Sequence, residues 1–405
     1  MRYLRAVHRC VTIVVVVFTA YLSVTGTLIQ LIDLRSLFTH APATDPNVQA
    51  MREAFNGPPN YEVISPADYS AQLIPAGTDY QSMLARTLQT ARTAAPDSPF
   101  RYVEFRMLDN HPVGQIGTPG ELIRVDALTG ALLSRGAAPL TNINYPVSQR
   151  NTVKSLHRMT AFGDYALIIN VVVGTGLAVL IVTGFIMYLR MLQTRTHSGL
   201  FNPFWTSGGW WRSLHRGVAL LAAGFLSVVM LSGTWLAIES LYRGFYMVRI
   251  TQHGAIPFAQ VWGGAIDAST PLRDAELPGM LQTTLAVAPG QAIKAVRLRY
   301  YGGMPQGVVI TGLSDDTHQL VFNTSTGSWA SQTEPGYPPT GFPFGWRAHQ
   351  IAKNIHRGGI FGMTGRMMDL FAGLCMFYLS MSGIVMYCDL WTRRCKSGRS
   401  GLFWA

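Results

Sequence analysis

Four long apolar runs alternate with polar stretches along the chain. The runs extend over Val11 to Ile32, Ala166 to Leu189, Gly217 to Ala237, and Leu370 to Leu390. A helix of roughly 20 apolar residues crosses a bilayer core of about 30 Å, and each run has about that length. The pattern therefore predicts four transmembrane helices, which flank two long polar stretches, Asp33 to Lys154 and Glu239 to Lys353.

Both polar stretches contain the same order of predicted elements. The first begins with an irregular connector, Asp33 to about Tyr69, and continues with a helix, a strand and a hairpin over Gln81 to Arg92, Arg101 to Met107, and Gly120 to Ser134. The second has a helix over Ala275 to Val287 and two strands over Ala292 to Tyr301 and Gly307 to Gly312. A hairpin follows, with its turn from Asn323 to Gly327. Gly130 and Gly327 are expected to end the two hairpin turns with positive φ. The pattern indicates two small α+β units.

A histidine-arginine pair followed by an apolar run that ends in Thr-Gly or Ser-Gly occurs four times. Histidine and glycine are eighteen residues apart in two copies, His8 to Gly26 and His215 to Gly233, and twenty-seven apart in the others, His157 to Gly184 and His356 to Gly383. Eighteen residues make five helical turns, so the two residues share a helix face about 27 Å apart. Because the spacings alternate, a helix pair is used twice, which predicts a pseudo-twofold molecule.

Composition and charge placement support a membrane protein. Of 405 residues 48% are hydrophobic and 13% charged, and the net charge is +11. The basic residues cluster beside the apolar runs, at Arg2, Arg5, Arg9, Arg190, Arg195, Arg212, Arg216, Arg393, Arg394, Lys396 and Arg399. The positive-inside rule makes these ends cytoplasmic and exports both polar stretches, into the periplasm of a Gram-negative bacterium. This placement also argues against nucleic acid as a partner. The first run lacks an A-x-A site and carries a repeat histidine, so it is interpreted as a retained helix.

The hairpin and histidine motifs carry a family resemblance. A helix followed by strands with a V-D/N-x-x-T-G-like hairpin resembles the PepSY domain, and L-H-R before an apolar span ending in T/S-G resembles the PepSY-associated transmembrane family. The resemblance covers nearly the whole chain. It implies a membrane α-helical bundle of four helices with two exported α+β PepSY-like domains.

The expected boundaries follow from this resemblance and from the apolar runs. They are 1–33, 153–192, 215–239 and 348–392 for the transmembrane helices, 34–152 and 240–347 for the PepSY-like domains, 193–214 for a cytoplasmic loop and 393–405 for a cytoplasmic tail. Known relatives of this architecture include inner-membrane ferric-siderophore reductases that carry b-type haem.

The four repeat histidines are the candidate haem ligands. Imidazole is the usual axial ligand of low-spin b-type haem, and symmetry pairs His8 with His215 at an inner site and His157 with His356 at an outer site. Two haems are therefore expected, held without covalent attachment because the chain has no C-x-x-C-H. The four cysteines, Cys10, Cys375, Cys388 and Cys395, lie in or beside the spans and indicate no disulfide in the exported domains. The alternative is that the histidines are interfacial anchors.

Residues beside the histidines have candidate roles. Gly26 and Gly233 would admit the edge of the outer haem, and Gly184 and Gly383 that of the inner haem; helix packing by small residues is the alternative. Arginines that follow the histidines would pair with haem propionates. Arg158 and Arg357 are the better candidates, with solvent or lipid phosphate as the alternative, because topology alone explains Arg9 and Arg216.

The outer pair raises a geometric difficulty. His157 lies nine residues before its apolar run and His356 about fourteen, so straight helices would lift both well above the bilayer core. A bend is therefore required, at Gly163 in one copy and among Gly358, Gly359, Gly362 and Gly365 in the other. His349 is the reserve ligand, and Met159 and Met363 are weaker ones.

Polar residues inside the spans are further candidates. Asn170 and Asp369 each lie thirteen residues after a repeat histidine, and Arg366 is expected to neutralise Asp369. Asp33 and Glu239 either attract a cation or, as we favour, mark the membrane interface.

These inferences predict a di-haem electron-transfer protein that reduces ferric iron, as a siderophore complex or another ferric chelate, on the periplasmic side. The cytoplasmic segments are too short for a flavin or nicotinamide domain, so electrons would come from a separate cytoplasmic reductase or from quinol. The alternative is a non-enzymatic PepSY-type binding or regulatory protein. A transporter is less favoured because no span is clearly broken by proline.

Overall fold

The computed structural model describes residues 2–42, 45–56, 66–137, 148–197, 204, 209–252, 270–301, 304–313, 317–330, 344, 346–399 and 401–403. The chain divides into a helical unit, formed by Met1–Thr39, Gln149–Arg249 and Gly341–Ala405, and a sheet unit, formed by His40–Ser148 and Ile250–Thr340. Parts of the predicted loop 193–214 and tail 393–405 lie outside the described residues.

The described helices are α1 (Arg2–Phe38), α2 (Pro46–Asn56), α3 (Pro66–Tyr69), α4 (Tyr80–Ala94), α5 (Gln149–His157), α6 (Leu167–His197), α7 (Trp210–Gln252), α8 (Leu277–Ala286), α9 (Trp346–His356) and α10 (Gly362–Lys396). The described strands are β1 (Tyr102–Leu108), β2 (His111–Gly117), β3 (Glu121–Asp126), β4 (Leu132–Ala137), β5 (Ile293–Tyr301), β6 (Met304–Thr311), β7 (His318–Asn323) and β8 (Ser328–Trp329).

Four helices of the helical unit, α1, α6, α7 and α10, are long and apolar enough to cross a bilayer, as the apolar runs predict. Helix α1 turns polar residues inward, among them Thr19, Ser23 and Gln30, while Val14 and Val17 are exposed. An apolar exterior around a more polar interior is what a lipid environment requires, because lipid offers polar groups no hydrogen-bond partner. The protein is a membrane protein.

Small residues bring the spans close together. A β-carbon on Gly176 of α6 would lie 2.6 Å from Val15 Cγ1 of α1, and one on Gly373 of α10 would lie 2.5 Å from Thr27 Oγ1 of α1. Such contacts leave no room for a side chain, as is usual where membrane helices pack closely. Helix α1 is thereby held against both α6 and α10.

The sheet unit contains one antiparallel sheet of eight strands in the order β4-β3-β2-β1-β5-β6-β7-β8. The two α+β units that the sequence predicts are its two halves, and they join where β1 pairs with β5, from Tyr102 opposite Arg299 to Arg106 opposite Ala295. One face of the sheet packs against α4 and α8, through a core that includes Met83, Phe105, Leu281 and Leu298. The other face carries polar residues such as Glu104 and Arg297 on β1 and β5.

The two halves use the same contact between helix and sheet. Thr87 of α4 lies over Gly114 of β2, and Thr284 of α8 lies over Gly307 of β6. A β-carbon on Gly114 would lie 2.3 Å from the Thr87 hydroxyl oxygen, and one on Gly307 would lie 1.8 Å from the Thr284 hydroxyl oxygen. In each half the helix therefore packs directly on the strand backbone. Because the same contact occurs in both halves, it reflects the internal repeat.

Both predicted hairpin turns are confirmed. Gly130 and Gly327 have φ of 78° and 70°, and the side chain of Asp126 accepts hydrogen bonds from the backbone nitrogens of Leu128 and Thr129 at 2.9 and 2.8 Å. Asn323 accepts from the Ser325 nitrogen in the same way.

Two local expectations are corrected. The connector predicted to be irregular from Asp33 to about Tyr69 instead continues α1 to Phe38 and contains α2 and α3. Strand β2, which reads HPVGQIG, was not predicted because proline and two glycines interrupt its alternation.

Candidate metal centre

The chain bends sharply after His157 and after His356, the two histidines for which a bend was expected. Helix α5 ends at His157, and Met159 and Gly163 then take φ of 61° and 88° before α6 begins. Helix α9 ends at His356, and Gly358 and Gly362 take φ of 68° and 57° before α10. A β-carbon on Gly358 would lie 2.1 Å from the carbonyl oxygen of Gly365, so this turn requires glycine. The bends confirm that neither histidine stands on a straight extension of its span.

The bends bring His157 and His356 together. Their ring centres are 6.3 Å apart and their planes differ by 33°. With metal–imidazole bonds of about 2.0 Å, two imidazoles on opposite sides of one metal ion have ring centres about 6 Å apart. The spacing therefore fits two axial ligands of one iron, as the pairing from the repeat predicts.

The Nδ1 atoms of these two rings form hydrogen bonds with residues of the spans. Nδ1 of His356 lies 3.1 Å from the carbonyl oxygen of Val229 and 3.4 Å from Ser232 Oγ on α7. A carbonyl oxygen only accepts hydrogen bonds, so Nδ1 of His356 carries the proton and donates it. Nδ1 of His157 lies 2.9 Å from Thr25 Oγ1 on α1, and His157 also bonds to the backbone of Leu22. A neutral imidazole protonated on Nδ1 keeps the Nε2 lone pair for a metal.

The electrostatics favour that neutral form. Burial, with a smaller contribution from the neighbouring His356, lowers the pKa of His157 to about 3. The ring is therefore neutral near pH 7, and only a neutral imidazole binds a metal.

The second pair of histidines has the same type of anchor. Nδ1 of His8 lies 2.8 Å from Thr183 Oγ1 on α6, and Nδ1 of His215 lies 2.7 Å from Ser382 Oγ on α10. His8 and His215 are close enough to interact electrostatically. The repeat thus places two histidine pairs within the helical unit, each ring held by a hydroxyl from another helix.

Three of the four repeat glycines lie against the histidine rings. A β-carbon would fall 3.2 Å from His157 Cε1 at Gly26, 2.8 Å from His356 Cε1 at Gly233 and 3.4 Å from His8 Cε1 at Gly184. These glycines were expected to admit haem edges, and the structure places imidazoles beside them. Gly383 differs, because its nearest neighbour is Thr12 Cγ2 at 3.8 Å.

The arginines that follow the histidines occupy different environments. Arg158 Nη2 lies 3.4 Å from Ser240 Oγ, and Arg216 Nη2 lies 3.4 Å from Ser213 Oγ. The backbone oxygen of Arg357 accepts a hydrogen bond of 3.2 Å from Gln30 Nε2, and Arg9 is half-buried on α1 beside His8. Their expected role toward propionates stays a prediction.

The reserve ligand His349 has a carboxylate neighbour. Its Nδ1 lies 2.7 Å from Glu239 Oε2, and the side chain of Glu239 is 1% exposed. In the first half, Arg150 makes the corresponding contact with Asp33, since His349 and Arg150 each stand seven residues before a repeat histidine. Arg150 Nε lies 2.6 Å from Asp33 Oδ1.

These contacts bear on two expectations. Asp33 and Glu239 are both buried and paired, with Arg150 and His349, and their expected position at the membrane interface stays a prediction. Arg366 binds Asp33, with 3.0 Å between Nη1 and Oδ2. Asp369 accepts a short hydrogen bond from Gln30, and Arg366 also interacts electrostatically with Asp369, as expected. Asn170, its counterpart in the repeat, donates to the carbonyl oxygen of His157 at 3.4 Å.

Two imidazoles are too few ligands to hold a bare metal ion. Within the described part of the chain no group of three or more His, Cys, Asp or Glu side chains is arranged to bind one. The donor set fits a metal whose remaining ligands come from a macrocycle, which is the arrangement in bis-histidine haem.

Sequence reasoning missed the hydroxyls that hold the rings. Thr25, Thr183, Ser232 and Ser382 immediately precede the repeat glycines, so the T/S-G pair that ends each span was visible in the sequence. Only the structure shows that each hydroxyl meets a histidine from another helix.

In a comparison with protein families, the model of the PepSY-associated TM region matches residues 5–389. A search of curated proteins finds no significant match.

Proposed function

This chain belongs to the PepSY-associated TM family, and on that premise we propose that it is a di-haem membrane protein of the bacterial inner membrane that passes electrons outward to ferric iron. The iron would arrive as a ferric siderophore or a similar chelate on the periplasmic side. The electrons would come from a cytoplasmic reductase or from quinol.

The observation that carries the proposal is the separation of 6.3 Å between the rings of His157 and His356. Each ring is anchored through Nδ1 to a different span, α1 for His157 and α7 for His356. Nδ1 and Nε2 lie on different sides of an imidazole ring. Because Nδ1 of each histidine is bonded to a span, Nε2 of each histidine stays available for a metal. The two residues would supply the axial ligands of one haem.

The spacing of the two sites along α1 supports an electron path. His8 belongs to one site, and Thr25, which holds His157, belongs to the other. They are seventeen residues apart on one helix, which corresponds to about 25 Å at 1.5 Å per residue. Two sites separated by most of a bilayer would allow electrons to pass between its two sides.

A bound haem would supply a one-electron iron couple, and the protein would supply its ligands and surroundings. His8, His215, His157 and His356 would hold the two irons. The expected direction of electron transfer, from the cytoplasm outward, follows from the arginine-rich helix ends, which the positive-inside rule assigns to the cytoplasm. Each ferric ion would take one electron, and the ferrous ion would then leave its oxygen ligands more readily, since hard oxygen donors bind it less tightly.

The first experiment is a visible spectrum of the purified protein, oxidised and then reduced with dithionite, with a count of haem per chain. We expect two low-spin b-type haems. His157→Ala and His8→Ala should each lose one haem, whereas His318→Ala, which alters an exposed histidine of β7, should lose none. A colourless protein, or two haems in the His157→Ala variant, would contradict the proposal.

A second experiment tests the reaction. The protein would be reconstituted in vesicles with a reductant inside and a ferric chelate outside, together with a colorimetric ligand for ferrous iron. Ferrous iron should form outside with the wild type and fall to background with either histidine variant. Equal rates in all vesicles would show that the protein does not carry the electrons.

A further inference from the structure

We propose that Thr25, Thr183, Ser232 and Ser382 are positioning residues that fix the tautomer and direction of the four haem ligands, and that the His8/His215 site depends on its hydroxyls more than the His157/His356 site does. This inference rests on the proposed function. It concerns residues that contact the histidines and not the metal.

The direction of each hydrogen bond follows from the second bond that each hydroxyl makes. Thr183 Oγ1 donates to the carbonyl oxygen of Val179 on its own helix at 2.6 Å, and Ser382 Oγ donates to that of Leu379 at 3.1 Å. A hydroxyl has one proton. Because that proton is engaged by the helix backbone, the oxygen must accept from Nδ1–H of the histidine.

The same arrangement holds at the other site. Thr25 Oγ1 donates to the carbonyl oxygen of Tyr21 at 3.0 Å, and Ser232 Oγ donates to that of Val228 at 2.7 Å. All four hydroxyls therefore act as acceptors toward an imidazole, and all four impose the Nδ1–H tautomer that leaves Nε2 free. A hydrogen bond accepted from the far nitrogen of a ligating histidine fixes the ring and raises its basicity.

The two sites differ in how many acceptors each ring has. His356 has the carbonyl of Val229 at 3.1 Å in addition to Ser232 at 3.4 Å, and His157 has the backbone of Leu22 in addition to Thr25. In the described structure the Nδ1 bonds of His8 and His215 go to Thr183 and Ser382. Removing a hydroxyl should therefore release the ring at the His8/His215 site and leave a backbone acceptor at the other.

The glycine that follows three of the four hydroxyls contributes to the same arrangement. At Gly26, Gly184 and Gly233 the missing side chain lets the ring lie against the span, close to the hydroxyl one residue earlier. A helical Thr-Gly or Ser-Gly pair thus provides both an acceptor and the space for the ring.

The experiment compares Thr183→Val and Ser382→Ala with Thr25→Val and Ser232→Ala in the full-length protein. Each variant is assayed for haem retained per site during dilution in detergent, for the electron paramagnetic resonance g-values of each low-spin haem, and for both midpoint potentials. At the His8/His215 site we expect haem retention to fall by about tenfold or more, the range seen when outer partners of metal ligands are removed, with changed g-values and potential. Thr25→Val and Ser232→Ala should change retention much less.

Matched controls lie on the same helices. Thr175→Val and Ser380→Ala remove hydroxyls that donate to backbone carbonyls of α6 and α10, at 2.9 Å in both cases, and neither contacts a histidine in the described structure. They should leave both haems unchanged, and Thr183→Ser should restore the wild-type g-values.

Three outcomes would overturn the proposal. They are unchanged g-values, potentials and retention in Thr183→Val and Ser382→Ala, equal losses at the two sites, or losses in the controls as large as in the variants. A wild-type protein without haem would instead refute the proposed function itself, so the two failures can be told apart.

Discussion

Thr284 lies so close to Gly307 that a β-carbon on the glycine would fall 1.8 Å from the threonine hydroxyl oxygen. The contact lies on the core side of the sheet, where α8 packs on β6, and Thr284 is completely buried.

Gly307→Ala should therefore destabilise the sheet unit, by about 1–3 kcal/mol or more as in other overpacked cores. Thr284→Ala in the same chain should relieve part of the loss, because it removes the hydroxyl oxygen and the methyl group that the new carbon meets, while the Thr284 β-carbon stays 2.7 Å away. The measurement is thermal unfolding in detergent. Gly279→Ala, also on α8 but with nothing within 4 Å of the new carbon, should cost nothing, and a Gly307→Ala loss that Thr284→Ala fails to relieve would contradict the contact.

Under the proposed function, the repeat glycines provide a graded series of variants for testing haem binding. The β-carbon of Gly233→Ala would lie 2.8 Å from the His356 ring, whereas that of Gly383→Ala would have 3.8 Å to its nearest neighbour. We expect Gly233→Ala to displace His356 and lose one haem, and Gly383→Ala to keep two. Haem per chain after purification is the measurement. Equal haem contents in the two variants would show that close packing of the ring is unimportant.

The buried carboxylate of Asp33 should matter for stability. It is 1% exposed and binds both Arg150 and Arg366, so Asp33→Asn would remove the charged carboxylate that both buried guanidinium groups bind. Breaking a buried pair in this way costs about 3–5 kcal/mol, and the variant should melt well below the wild type. Asp389→Asn, which removes the exposed partner of Arg393, should shift the melting temperature little, since exposed pairs contribute about 0.2–1 kcal/mol. Similar shifts for the two variants would contradict this interpretation.

Acid should destabilise the haem-free protein through His157. Burial lowers its pKa from 6.5 to about 3, so between these values the unfolded chain binds a proton that the folded chain does not. The free energy of unfolding therefore falls as the pH drops through this window and is unaffected by this group above it. Melting temperatures from pH 7.5 to 4 should fall more steeply for the wild type than for His157→Gln, whose amide does not titrate. Parallel curves would show that His157 is not buried as a neutral ring.

The spans, the hairpins and the histidine pairs could be predicted because each leaves a pattern within one segment or in its repeat. Apolar length defined the helices, Gly130 and Gly327 defined the turns, and repeat register paired His157 with His356. The bends after α5 and α9 were predictable from glycines in a segment that had to turn. The resemblance to the family supplied the haem hypothesis, which stays a proposal.

The remaining contacts depend on residues far apart in the chain. Asp33 is 117 positions from Arg150 and 333 from Arg366, and a local interpretation, which related Arg366 to the nearby Asp369, missed the ion pair with Asp33. The joining of the two predicted α+β units into one sheet was also missed, because an edge strand has no sequence mark that tells which other edge it will meet. The hydroxyls were visible before every repeat glycine, but small residues at the end of a span are usually explained by helix packing alone.

The pairing of β1 with β5 has a consequence for how the protein is made. Residues 102–108 are synthesised long before residues 293–301, and α6 and α7 lie between them in the chain. Until the second half has been translated, the first four strands end in an open edge with unsatisfied backbone groups, which is the kind of surface that draws in foreign strands. We therefore expect a chain that ends between the two halves to aggregate more readily than the whole protein, because this edge strand then lacks its partner.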